Sequence, residues 1–367
     1  MKKNLIRSLL CCLLATVLMF SLCACGEKAA PAAPAEAAPE AAPAEAAAEA
    51  APAAEESAEP VTIKLNTSWG ENSTVQQSAL MFGDLLSEKT DGRITVKVYP
   101  SNQLASGNQQ TAVEMVQNGD IEASLFGMTV LSFLDDRLAV VNMPFLITSF
   151  EQADALIFDK NAESRKILDS VIGENGMVSL AFGEAGYRQL TNNKREIHTP
   201  EDMKGLKFRI LATCPMFFDL YETLGANPTA INMSEVFTSL QQGVVDGQEN
   251  AVDTARSYKL NEVQDYVTCW NGVYDAVSFV ASPKFMESLS EADQALIYEC
   301  AEEAMKFQKE ASRASEEEVL AEFEETMTIT KLTDEEINAF FEAVQPVYDK
   351  WYDAIGADIM AAFGYTK

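Results

Sequence analysis

Pro200-Glu201-Asp202-Met203-Lys204-Gly205-Leu206-Lys207-Phe208-Arg209-Ile210, then Leu224-Gly225-Ala226-Asn227-Pro228-Thr229, then Gly243-Val244-Val245-Asp246-Gly247-Gln248-Glu249-Asn250, is the stretch on which the fold turns. Leu206, Phe208 and Ile210 alternate with Lys207 and Arg209, the period of a short strand with one apolar and one polar face. A helical run, a Gly-Ala-Asn-Pro turn, a second short strand, an amphipathic helix and an Asp-Gly turn follow. Arg209 falls on the polar face of the first strand, and Asn250 follows the last turn. An arginine offers five N–H donors in a rigid fork that matches a carboxylate, which lysine cannot copy. In a chain with 56 acidic residues, the same arginine equally suits a surface ion pair.

Upstream, Thr62–Asn66 alternates like a strand and ends in a polar loop, Thr67–Ser73, whose last residue suits a helix cap. The chain continues with an apolar helical stripe from Val75 to Leu86, a strand at Arg93–Pro100, a helix over Asn108–Asn118 and a third strand at Ile121–Phe126. Strands alternating with helices predict an α/β domain with a largely parallel sheet. Ligands of such sheets bind at the carboxyl ends of the strands, which marks Asn66–Glu71 and Phe126-Gly127-Met128 as a binding edge. Val178–Phe182 reads as another strand, ending in Gly183–Arg188, and Tyr274–Ala281 is rich in β-formers. Ser290 suits the cap of a long acidic helix running from Glu291 to about Glu325, read as a solvated face over a packed stripe. Further helices are expected at Asp334–Phe341 and Pro346–Phe363. Arg188 joins Arg209 as a second strand-borne arginine, and Trp69, Phe126, Met233 and Trp270 are candidate pocket walls.

The first residues combine Lys2, Lys3 and Arg7 with an apolar run from Leu9 to Leu22 and the ending Leu22-Cys23-Ala24-Cys25. That is the layout of a secretory signal, too short for a comfortable membrane span. The ending resembles a bacterial lipobox, which makes Cys25 the expected lipidated residue and places the protein on the outer face of the cell membrane. Residues 26–60 are nearly all Ala, Pro and Glu and read as an extended acidic tether. The signal carries +3 and the tether −7, leaving about −25 of the chain's −29 on the folded part. Nucleic acid is thereby excluded as a partner, since phosphate contact needs a basic face. One histidine, His198, rules out two-histidine zinc motifs, and its polar turn argues against function. No Walker loop, Gly-x-Gly-x-x-Gly or Gly-x-Ser-x-Gly occurs, so no cofactor, metal or catalytic group is expected. Outside the signal, Cys214, Cys269 and Cys300 have no metal-ligand spacing and read as buried thiols, one disulfide being the alternative.

The opening three motifs, in this order and spacing, resemble the signature of TRAP transporter solute-binding proteins, the DctP family. The likeness extends to Gly92-Arg93-Ile94 with Tyr99-Pro100-Ser101-Asn102-Gln103-Leu104, to Met143-Pro144-Phe145 and to Gly186-Tyr187-Arg188-Gln189-Leu190-Thr191. The resemblance implies two α/β domains, 61–185 with about 276–315 and 186–275 with about 316–367, joined by crossing strands and a long spanning helix and closing like a hinge. It implies that Arg209 pairs with a ligand carboxylate, that Arg188 and Asn250 supplement the contact, and that Met233 stands on the pocket wall. Gly225 and Pro228 serve turn geometry. The implied function is capture, as a monomer, of a small carboxylate such as a sugar acid for delivery to the membrane subunits of a TRAP permease. A receptor for a sensor kinase and a secreted sugar-acid enzyme are the alternatives. Two departures bear on the ligand: Ile210-Leu211-Ala212 replaces the family's Val-Pro after the strand arginine, and Trp270-Asn271-Gly272 replaces Thr-Asn-His. On this reading Trp270 is available to stack on a ring.

Overall fold

Two long strands, β4 (Val178–Asn192) and β8 (Tyr266–Ala281), organise the sheet. The computed structural model describes residues 59–367. The expected signal segment with Cys25, and the tether save its last two residues, lie outside the described residues. β4 and β8 pair antiparallel from Val178↔Ala281 to Asn192↔Tyr266. Beside the C-terminal part of β8 lies β3 (Ala123–Gly127), antiparallel to it. β1 (Val61–Thr67) and β2 (Ile94–Tyr99) continue that side in parallel. Beside the C-terminal part of β4 lies β7 (Gly247–Asn250), antiparallel, followed by β5 (Lys207–Ile210) and β6 (Asn227–Ala230) in parallel. A short strand, β9 (Thr328–Lys331), runs parallel to the start of β8. The result is one nine-stranded mixed sheet, ordered β2-β1-β3-β8-β4-β7-β5-β6 with β9 beside β8.

β4 and β8 outrun the expected strands because glycines and polar residues that read as strand ends sit inside them. Register slips occur between Ser179 and Ala181, Glu184 and Gly186, and Arg188 and Leu190. Such bulges bend a strand without ending it. Gly186, at φ +90°, holds a conformation that a side chain would strain. The expected domain limits at 185/186 and 275/276 therefore fall within continuous strands.

The helices start where the capping residues stand. The hydroxyls of Ser73 and Ser290 accept from the backbone N–H of Gln76 and Asp293, opening helices Thr74–Lys89 and Glu291–Glu324. Asn108 does the same for Gln109–Asn118, which closes on left-handed Gly119. Helix Glu291–Glu324, 34 residues long, buries a stripe. Ile297, Cys300, Ala301, Ala304 and Met305 pack with the residues around β1 and β3, while Val319, Leu320 and Phe323 pack with Met233, Val236 and Val267. Between these two contacts the helix is fastened to β4. Gln308 exchanges backbone hydrogen bonds of 2.7 Å with Glu184, and Arg313 donates to the Glu184 carboxylate at 2.7 Å. Tyr274 donates to the same carboxylate at 2.9 Å. Cys214, Cys269 and Cys300 are free thiols, the first and last fully buried. Among the described residues, no helix is long and apolar enough to cross a membrane.

Candidate functional site

Arg209 is fully buried on β5 between its partners on β6 and β7, Thr229 and Gln248. Of the face that alternates as polar in sequence, Lys207 is exposed, while Arg209 is turned into a cleft. Its Nε donates to the Ile231 carbonyl at 2.9 Å, while buried Nη1 and Nη2 find no partner among the described residues. Loss of hydration on burial pulls the guanidinium down to about 10, opposed by Glu249 and reinforced by Arg188, so it stays charged at neutral pH. A buried cation with two unpaired N–H groups costs free energy unless an acceptor meets them, and an anionic acceptor also offsets the buried charge.

Arg188 stands beside it on β4, but its fork is already engaged. Nε and Nη2 donate to the carboxylate of Glu249, Nη1 to Asp275 Oδ2 at 3.0 Å, and Nη2 to Asn250 Oδ1 at 2.9 Å. Burial works against the charge, and the two carboxylates more than offset it, holding Arg188 well above its ordinary value. Of its five N–H groups, only one on Nη1 is left for a ligand. Arg188, expected to supplement the ligand contact, is first the centre of a buried ion-pair cluster and has one N–H left for that role. Asn250 is committed as well, accepting from Arg188 and donating to Gln248 Oε1. It fixes Arg188 and turns its amide past Met233 Sδ at 3.9 Å.

Around the arginines the sheet brings both halves of the chain to one cleft, with about 340 Å³ of atom-free space partly open to solvent. Met233, Asn250, Arg188, Arg209 and Leu211 line it from one half, and Ser68, Trp69, Gln109, Gly127 and Thr129 from the other. The Leu211 contact means that the departure after Arg209 does shape the pocket. Trp69 donates from Nε1 to Thr254 Oγ1 at 3.0 Å, and Tyr258 donates to the Ser68 carbonyl at 2.9 Å. Asp253 accepts from Thr74 N–H at 3.0 Å, supplying negative charge to the N-terminus of helix Thr74–Lys89. These bonds tie the β1 side of the cleft to helix Val252–Ser257.

Two aromatic expectations are corrected. Phe126 is fully buried in the core and does not line the cleft; its neighbour Gly127 does. A side chain at Gly127 would meet Asp275 Oδ2 at 2.9 Å, so only glycine lets the carboxylate and Thr129 form that wall. Trp270 is likewise core. It packs edge-on to Phe145 and Phe340, and its Nε1 donates to the Arg188 carbonyl at 2.7 Å. A side chain at Gly272 would strike the indole at 2.6 Å, so the Trp270-Asn271-Gly272 departure is an internal packing unit and not a ring-stacking surface. His198 lies on the surface between Glu336 (2.8 Å) and Glu196 (3.4 Å).

Sequence reasoning missed Asp275, Glu249, Thr129, Gln109 and Thr254. Asp275 accepts from Thr129 N–H and Oγ1 at 3.2 and 2.8 Å and from Asn142 at 3.1 Å, all distant in sequence. Glu249 lay inside a quoted motif, but a two-residue period puts it on the face opposite Asn250, and nothing local announced its contact with Arg188, 61 residues upstream. No cluster of three His, Cys, Asp or Glu side chains able to hold a metal ion occurs among the described residues.

Residues 65–354 match the family described as bacterial extracellular solute-binding protein, family 7, or DctP. A solute-binding protein of Roseobacter denitrificans is 34% identical over 252 residues, covering 69% of this chain and 75% of the relative. A TRAP periplasmic solute-binding protein of Ralstonia eutropha, crystallised with (S)-2-acetolactate, superposes with a TM-score of 0.79 at 31% identity, covering 83% of this chain and 98% of that one. One from Sulfurospirillum deleyianum, with bound succinate, gives 0.78 at 26% identity, covering 84% and 100%. With the crossing strands, the long helix and the buried strand arginine in place, the chain belongs to the DctP family of TRAP transporter solute-binding proteins.

Proposed function

We propose that this protein is a receptor tethered to the outer face of the cell membrane through a lipid on Cys25. In this reading it captures a small organic acid between two lobes, divided near Glu184–Gly186 and Asp275–Ala276, and delivers it as a monomer to TRAP permease subunits. Capture involves no turnover. The observation that carries the reading is Arg209, buried with both Nη groups unpaired and aimed into the cleft. A carboxylate accepting two charge-assisted bonds there gains roughly 1.5–3 kcal/mol from each. The bound acids of the Ralstonia and Sulfurospirillum proteins, acetolactate and succinate, are of this class.

The test is calorimetric titration of a carboxylate panel into wild type and Arg209→Lys. The lysine keeps the charge and loses the fork, so affinity drops about tenfold or more. Equal affinity of the two proteins would remove Arg209 from the ligand site. For the anchor, Cys25→Ser releases the protein from the membrane fraction; retention of the variant there would exclude lipidation at Cys25.

A further inference from the structure

We propose that the cleft selects singly charged acids bearing a hydroxyl or keto group and rejects dicarboxylates. The proposal rests on the carboxylate-receptor reading above and narrows it to a substrate class. Four ionisable side chains gather at the site: Arg188, Arg209, Glu249 and Asp275. Glu249 and Asp275 both hold Arg188, so its charge is spent within the protein. Arg209, by contrast, keeps both Nη groups unpaired among the described residues, and no carboxylate of the protein spends its charge. The charges of the cluster already cancel, two positive against two negative. One ligand carboxylate finds Arg209, and a second finds no unspent cation on any lining residue.

The remaining walls reinforce the choice. Asp275 is the one acid among the lining residues, and side-chain-free Gly127 lets its buried carboxylate reach the wall of the cleft. A second carboxylate brought into this desolvated space meets a like charge, an arrangement that costs several kcal/mol in buried interfaces. The other polar groups are neutral. Gln109, 6% exposed, makes no side-chain hydrogen bond within the described residues, and its amide offers both a donor and an acceptor to the cleft. Thr254 accepts from Trp69 and retains its own proton as a donor. Such groups satisfy a hydroxyl or carbonyl oxygen and leave a carboxylate without charge compensation.

The experiment is calorimetric titration of the full chain with acids paired by chain length, four or six carbons: 2-hydroxybutanoate against malate and galactonate against galactarate, with butanoate, succinate, hexanoate and adipate as unsubstituted controls. In the pair that binds best, the monoacid binds about tenfold tighter or more, and the hydroxylated acid outbinds its unsubstituted control. Gln109→Leu erases that second preference and leaves the first. Asp275→Asn raises diacid affinity relative to monoacid; a melting curve checks that this variant folds, and the Gln109 variant and the wild-type pairs decide the question if it does not. A diacid that binds as tightly as its monoacid overturns the selectivity and leaves the carboxylate receptor standing. Failure of every acid in the panel overturns the receptor reading and this inference with it.

Discussion

Replacing Arg209 by methionine separates what the residue costs from what it does. The guanidinium is buried, one N–H set is bonded to the Ile231 carbonyl, and two Nη groups are unpaired. Each unsatisfied buried donor costs about 1–3 kcal/mol, whereas the single charge-assisted bond to Ile231 returns about 1.5–3 kcal/mol. Apolar replacement of buried ionic groups is neutral or stabilising by roughly 1–4 kcal/mol when volume is kept, and methionine fills an irregular space of this shape. The free Arg209→Met protein is therefore expected to be more stable than wild type by about 1–3 kcal/mol, a rise of a few degrees in melting temperature. The ligand effect runs the other way. Acid at about 100 times its dissociation constant adds roughly 2.7 kcal/mol to wild type and nothing to the variant. Differential scanning calorimetry with and without ligand reads both quantities. A variant that melts lower than wild type when free, and still rises with ligand, would show that Arg209 is a structural residue.

Glu249→Gln leaves Arg188 with one carboxylate in a buried setting. Chemical denaturation is expected to show a loss of about 3–5 kcal/mol, as for other broken buried pairs. Trp270→Phe removes the 2.7 Å bond to the Arg188 carbonyl, costing about 1–2 kcal/mol of stability while ligand affinity is unchanged; lost affinity would return Trp270 to the ligand site. The hydrogen bond from Glu336, helped by Glu196, raises the His198 pKa above 6.5. Its stabilisation is therefore fully present below 6.5, down to the carboxylate range, and fades as pH rises through the raised value. Exposure keeps the effect small. Melting curves of His198→Gln should fall slightly below wild type in that acidic window and merge with it at alkaline pH.

Local signals carried much of the architecture. Ser73, Asn108 and Ser290 marked helix starts because a capping hydroxyl or amide acts within three residues, and the apolar stripe of Glu291–Glu324 reported its own burial. Alternation placed Arg209 on the polar face of its strand but left a ligand contact and a surface ion pair equally open; the expected ligand role came from the family resemblance. What escaped was set by pairing across long separations. Arg188 meets Asp275, 87 residues on, only because β4 and β8 run antiparallel, and nothing near either residue announces the other. Aromatic identity was uninformative for the same reason. Phe126 and Gly127 are consecutive on β3, yet the core takes one and the cleft the other, and a sequence read alone does not say which face is which.

The pairing of β3 with β8 also sets an order of assembly. β3 is complete at Gly127, but its antiparallel neighbour begins at Tyr266, and β4 waits for that same strand. A chain emerging N-terminus first leaves the edges of β3 and then β4 open until more than two-thirds of it has been made. Neither half of the sheet can close early, because the strand that completes both is shared and late. The contacts that finish the fold are long-range, which slows folding. The nascent protein thus stays unfinished until residues 266–281 arrive and both halves close on the same strand.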